Sequence, residues 1–126
     1  LGMLYQDKII SETLLITKDA TKNTPCDWIY LSDHGAESGN RGDFVGHSSK
    51  TLGGYTIPFL FWSNKKNLAQ KRELLSNRPF RADWLSFLLL DLAGIKCKFS
   101  FDNKSWLDQD YRWSEPEIIT SLKTKK

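Results

Sequence analysis

The sequence predicts an α/β layered fold, a partial sandwich of a few strands with packed helices. Three observations carry that expectation. Helical and strand-like patterns alternate along the chain as helix–strand–loop–strand–helix–helix–strand. Two short runs of apolar, aromatic and β-branched residues, 27–32 (DWIYLS) and 57–62 (IPFLFW), are separated by a long polar loop. Residues 83–93 (DWLSFLLLDLA) are apolar nearly all round, as in a helix packed on two sides. At 126 residues the chain is expected to form one domain over 1–126, with an irregular tail over 102–126.

Each element has its own signal. Residues 4–17 place apolar side chains at Leu4, Ile9, Ile10, Leu14, Leu15 and Ile16, which predicts an amphipathic helix. Residues 19–25 (DATKNTP) are polar and end in Pro25, so they read as a loop. Residues 27–32 read as a buried strand. In 57–62, Pro58 cannot donate to a ladder, so the strand starts near it or lies toward an edge. Asn64 reads as the cap of a helix over 64–75, with Leu68, Leu74 and Leu75 as its apolar stripe. Pro79 breaks that pattern. Gly94 reads as the C-cap of the helix over 83–93. Residues 95–101 (IKCKFSF) alternate like a half-exposed edge strand, and the last six residues (SLKTKK) read as frayed.

Composition excludes several classes. Apolar residues make up 40%, charged residues 26% and aromatics 13%, which is a globular profile. No apolar run approaches the roughly 18–20 residues of a membrane span, and no signal-peptide pattern follows Met3. A start at Leu1, Gly2 and Met3 reads as a truncated frame. Net charge is 18 − 15 = +3, and Lys123, Lys125 and Lys126 account for it, leaving 15 against 15. A basic surface for nucleic acid is therefore not expected. Two cysteines, Cys26 and Cys97, make neither a disulfide framework nor a zinc ribbon.

Chemistry is concentrated in residues 33–56 (DHGAESGNRGDFVGHSSKTLGGYT). This loop holds six of the eight glycines and both histidines. It leaves the carboxyl end of the first strand, where open α/β sheets bind ligands. Asp33 and His34 follow the strand directly, and Gly35 permits the turn that lets two adjacent side chains converge. A carboxylate oxygen with a neutral imidazole nitrogen suits Zn²⁺ or Mn²⁺. His47 follows thirteen residues later, after Gly46, and Glu37, Arg41 and Asp43 add charge nearby.

The order of these residues resembles the phosphoethanolamine transferases of the alkaline phosphatase superfamily. Their pattern of a strand ending in S-D-H-G, then G-H, then an aromatic-apolar I-P strand is matched by YLSDHGAESGN, DFVGHSS and YTIPFLFW. RADWLSFLLLDLAGI resembles the family's helix ending in L-x-L-A-G-I, and LYQDKIISETL resembles the helix before the metal-ligand strand. The likeness covers residues 4–101. Sulfatases and lipoteichoic acid synthases share much of it.

The resemblance implies a partial alkaline-phosphatase-like sandwich. It implies that Asp33 and His34 hold a catalytic Zn²⁺ (or Mn²⁺), weakly in the isolated chain, and that His47 is catalytic, touching the transferred phosphoryl group or a second metal. It further implies transfer of phosphoethanolamine from phosphatidylethanolamine to lipopolysaccharide, on the periplasmic side of the bacterial inner membrane. The family's Glu after the glycine is Ala36 here, with Glu37 one residue on. The family's nucleophilic threonine, another carboxylate ligand and a further histidine belong to its amino-terminal half, and none has a counterpart here. The chain is thus expected to be a carboxyl-terminal fragment whose partner is that missing half, and its exposed sheet edge is expected to favour a homodimer. Two alternatives stand beside the transferase. One is a sulfatase or other phospho- or sulfo-ester hydrolase of the same superfamily. The other is an inactive fragment acting as a binding or assembly module.

The remaining features have bland readings. Trp28, Phe59, Phe61, Trp62, Trp84 and Phe87 are expected in the core. Lys65, Lys66, Lys71 and Arg72 are expected on a solvated face, with anionic lipid headgroups as the alternative. Ser48 and Ser49 beside His47 are loop polarity, because a triad needs its base to reach back from another segment.

Overall fold

Nineteen residues without proline or an interior glycine form helix α1, Gly2–Ala20. The computed structural model describes residues 2–39, 45–96 and 103–124. Ile10, Leu14, Thr17 and Thr21 are half-buried, a stripe at helical spacing. The helix has no fully buried residue, and Leu4, Leu15 and Ile16 are exposed. The apolar pairs of the sequence therefore overstate the packed face. Thr13, Thr17 and Thr21 each return their hydroxyl to a carbonyl three or four residues back, the local alternative that threonine offers a helix.

Strands β1 (Asp27–Leu31) and β4 (Phe59–Ser63) pair with each other in a two-stranded sheet, as their apolar patterns predict. Pro58 lies just outside β4, where its missing N–H costs the ladder nothing. Asn64 is not a helix cap. Its Nδ2 donates to the carbonyls of Thr21 and Thr24, both at 2.9 Å, and its Oδ1 accepts from Cys26 N–H at 2.8 Å. One side chain thereby fastens the α1–β1 connection to the end of β4. Beyond it, two short helices replace the single one expected: α2 (Lys66–Ala69) and α3 (Arg72–Ser76), with Leu68 and Leu75 buried. Lys65 pairs with Asp27 at 2.6 Å.

The chain divides into two compact units, Leu1–Tyr30 with Leu60–Asn77 and Leu31–Phe59 with Arg78–Lys126. In the second unit the polar loop is not wholly irregular. Strands β2 (Glu37–Ser38) and β3 (Val45–Gly46) pair antiparallel, Glu37 opposite Gly46 and Ser38 opposite Val45. A 3₁₀ turn follows at Gly53–Tyr55.

Another 3₁₀ turn, Ala82–Trp84, leads into helix α4, Leu85–Leu92. Gly94, at φ +68°, ends it in a Schellman motif: Gly94 N–H donates to Asp91 O and Ile95 N–H to Leu90 O. Only Leu88 of α4 is fully buried and Leu89 is half exposed, so a helix packed on two sides is not observed among the described residues. Phe59 and Phe80 stack at 3.8 Å, and Trp106 meets both edge-on. Arg78 donates to the carbonyls of Trp106 and Asp108, Trp106 Nε1–H returns to Arg78 O, and Tyr111 O–H donates to Pro79 O. These bonds tie the turns after residue 102 to the segment before α4.

The tail is not irregular throughout. Helix α5 spans Glu117–Thr124, closed by Glu115, which accepts from Thr120 and pairs with Lys123. Cys26 carries a free thiol. Cys97, most of the expected edge strand over 95–101, Arg41, Asp43 and the last two lysines lie outside the described residues; Ile95 and Lys96 are not in a strand.

Candidate functional site

The carboxyl end of β1 delivers Ser32, Asp33 and His34 in succession. A turn brings the two ligand-type side chains to one side, with His34 Nε2 lying 3.9 Å from Asp33 Oδ1. The turn is fixed by its own polar groups. Ser32 Oγ donates to His34 O at 2.7 Å, and His34 N–H donates to Asp33 Oδ1 at 3.1 Å. His34 Nδ1 sits 2.9 Å from the carbonyl of Gly35. A carbonyl only accepts, so Nδ1 carries the proton and Nε2 presents its lone pair. The two acceptors thus face each other across 3.9 Å, both open to solvent.

Glycines set the loop's closeness. Gly35 N–H donates to Gly54 O at 2.9 Å, and both glycines are buried. A Cβ on Gly35 would overlap the carbonyls of Gly53 and Thr56, and one on Gly54 would overlap that of Ser48. Glu37 accepts from Gly53 N–H at 3.0 Å. One oxygen of its carboxylate thus helps to close the loop. By this packing the 45–56 segment carries His47 back to His34, where the ring centroids are 4.3 Å apart and tilted by 47°. Asp33, His34 and His47 all line one cleft of about 810 Å³, a size suited to small ligands.

The two donors Asp33 and His34 suit a divalent cation in type and tautomer, and their 3.9 Å separation is somewhat wider than the roughly 3.3–3.4 Å between two ligands of a tetrahedral zinc. Among the described residues, no three His, Cys, Asp or Glu side chains come together as a metal-holding group. His47 lies beside His34, ring against ring.

Residues 2–95 match the model of the family described as Sulfatase, three quarters of the chain. The chain belongs to the sulfatase family. No curated protein and no solved structure matches it. Membership places the mixed helices and two-stranded sheets in a partial α/β fold of the alkaline-phosphatase type. It also places the chain in a superfamily of phospho- and sulfo-ester hydrolase-like proteins.

Other residues of the sulfatase-family cleft escape a reading by motif. Arg81 is in its lining, and all three nitrogens of its guanidinium are engaged: Nε with Asp83 Oδ1 at 3.0 Å, Nη2 with Asp83 Oδ2 at 2.5 Å, and Nη1 with Ser114 O and Oγ at 2.8 and 3.0 Å. The hydrogen bond to Asp83 raises the Arg81 pKa from its ordinary value, and the same bond from Arg81 lowers that of Asp83. Burial raises the Tyr111 phenol. Trp113, Pro116, Ile118 and Ile119 complete the apolar lining. The only sequence signal for Arg81 is its spacing from Asp83, and Trp113 carries none beyond being an aromatic in a polar tail.

Proposed function

We propose that the chain is part of the catalytic domain of a metal-dependent phosphoethanolamine transferase. It moves phosphoethanolamine from phosphatidylethanolamine to lipopolysaccharide at the periplasmic face of the inner membrane. The observation that supports this reading is the turn at Asp33 and His34, with His47 against it, at the end of a strand in a sulfatase-family fold. Asp33 and His34 hold the zinc. When bound, zinc polarises a nucleophilic hydroxyl and neutralises phosphate oxygens. The Gly35 carbonyl keeps the His34 tautomer that leaves Nε2 available. His47, beside His34, would donate an imidazole N–H to an oxygen of the transferred phosphoryl group. The nucleophilic threonine and the remaining ligands belong, in this reading, to the amino-terminal part of the catalytic domain.

Two other readings each have one observation in their favour. The match to a family described as Sulfatase favours hydrolysis of a sulfate or phosphate ester. The two-donor count among the described residues favours a module that binds without turnover.

Calorimetric titration of the chain with zinc, and of its His34→Ala variant, tests the assignment. Two ligands on one turn give an expected Kd weaker than about micromolar, because tight sites use three or four ligands held by supporting hydrogen bonds. The weak heat is lost in the variant, and no turnover of 4-nitrophenyl phosphate or 4-nitrocatechol sulfate accompanies it. Sub-micromolar zinc binding that vanishes in His34→Ala, or steady hydrolysis by pure protein, would show a self-sufficient site. Hydrolysis of the sulfate ester with no reaction on phosphatidylethanolamine would replace the transferase by the hydrolase. Zinc binding unchanged in His34→Ala would remove His34 from the site.

A further inference from the structure

The cleft that contains Asp33, His34 and His47 is also lined by a segment that the family match does not reach. The match ends at residue 95, and Trp113, Ile118 and Ile119 lie beyond it. Trp113 and Ile118 are 42% and 45% exposed. Large apolar side chains standing open on a concave surface that also carries two imidazoles and a carboxylate describe a site for an amphiphile. Their segment is held in place. Arg81 donates twice to Ser114, next to Trp113, and Glu115 is tied to Thr120 and, in the last turn of α5, to Lys123. Both acidic side chains in this part of the lining, Asp83 and Glu115, are paired with a base, so neither presents an uncompensated charge to an apolar group.

We propose that Trp113 and Ile118 form an apolar subsite that selects esters carrying a bulky apolar group on an anionic phosphate or sulfate head. The proposal rests on the ester-processing reading above and goes beyond it by assigning substrate selection to residues outside the family match. The head lies with Asp33, His34 and His47, and the apolar group covers Trp113 and Ile118. An ester without that group forfeits the apolar contact and keeps only the head.

Binding, not turnover, tests this. The chain is titrated in excess zinc with 2-naphthyl phosphate, 2-naphthyl sulfate and methyl phosphate, followed by calorimetry and by the NMR signal of the Trp113 indole N–H. Naphthyl phosphate is expected to bind about tenfold more tightly than methyl phosphate, one decade of affinity for one buried aromatic group. The naphthyl esters alone should shift the Trp113 signal. Trp113→Ala and, independently, Ile118→Asn should each reduce the preference to about threefold or less while leaving methyl phosphate unchanged. Both side chains are substantially exposed, so neither variant threatens the fold. The sulfate arm decides the head: a naphthyl sulfate that binds more tightly than the phosphate assigns sulfate to the same subsite. Equal affinities for naphthyl and methyl phosphate, a preference untouched in both variants, or no binding of either naphthyl ester at millimolar concentration overturns the proposal. His34→Ala separates the two layers. It should weaken naphthyl and methyl phosphate alike and preserve their ratio. If it changes neither while Trp113→Ala still removes the preference, the apolar subsite stands and the head-group reading falls.

Discussion

Two segments line the same cleft and are held by different physics. The segment from Asp33 to Ile57 is packed backbone against backbone, with Gly35 and Gly54 in contact distances that no side chain fits. The segment from Trp113 to Ile119 is pinned by side chains, chiefly Arg81 on Ser114 and Lys123 on Glu115. Backbone packing of this closeness leaves no room for a Cβ at Gly35 or Gly54. Side-chain pinning is graded: each ion pair can be removed, exchanged or screened without rebuilding the chain path. The segment bearing the ligand-type residues uses the rigid device, and the segment proposed to select the substrate uses the adjustable one.

The sharpest break of this comparison is Gly54→Ala. A methyl group there overlaps Ser48 O, and the neighbour is backbone, which cannot rotate away. The expected loss is about 3 kcal/mol or more of stability, at the severe end for overpacking. Urea denaturation would measure it. The same variant should separate the His34 and His47 rings, seen as shifts in both imidazole NMR signals with little change at Trp113. A variant of near wild-type stability would mean that the loop opens without cost and that backbone packing does not set the histidine pair.

Arg81→Ala is the corresponding cut in the other segment, with a smaller expected effect. It removes two bonds to Ser114, the fork on Asp83 and the guanidinium over the Trp84 ring at 4.3 Å. Partly exposed bonds of this kind contribute about 1–2 kcal/mol together. Amide exchange around Trp113 and Ser114 should quicken while the His34–His47 region keeps its protection. Arg81→Lys should recover only part, because an ammonium keeps the charge and loses the planar fork. Equal loosening of both segments in Arg81→Ala would show that they form a single cooperative element.

How much of this was legible in the sequence follows the same division. The strands at 27–31 and 59–63, the helix ending at Gly94 and the cluster of Asp33, His34 and His47 are written in local pattern: β-branched runs, a glycine after an apolar helix, an ordered motif. Asn64 was not legible, because an Asn before a helical stretch looks like a cap, whereas its three partners are carbonyls and an amide some 40 residues away. Over residues 66–76 the first helix starts after Lys65, not Asn64, and a second starts after Lys71, whose ψ of 4° departs from the helix. The tail reads as irregular because its apolar residues are sparse. Within α5, Ile118, Ile119 and Leu122 do recur at helical spacing, but eight residues are too short a run to stand out, and Trp113 is held by Arg81 on Ser114, a contact 33 residues apart that leaves no local pattern.

The smallest effect is electrostatic, and its sign is fixed. Arg81 holds the Asp83 carboxyl below its ordinary value of 3.8, first through their hydrogen bond and then through charge. A carboxyl depressed in the folded chain contributes stability that is complete above its unfolded pKa and is lost as pH falls through the folded one. The window therefore opens just below pH 4 and extends downward, with nothing expected between pH 5 and 7. Asp83 is 58% exposed, so solvent screening limits the contribution to under about 1 kcal/mol. Thermal melts from pH 6 to pH 2.5 should show the stability gap between the chain and its Asp83→Asn variant closing as the acid is titrated. The gap should also narrow at neutral pH in 1 M salt, where charges on the surface are screened within about 3 Å. A gap that widens on acidification would mean that Asp83 is destabilising when charged. The pin on Trp113 would then rest on the Ser114 bonds alone.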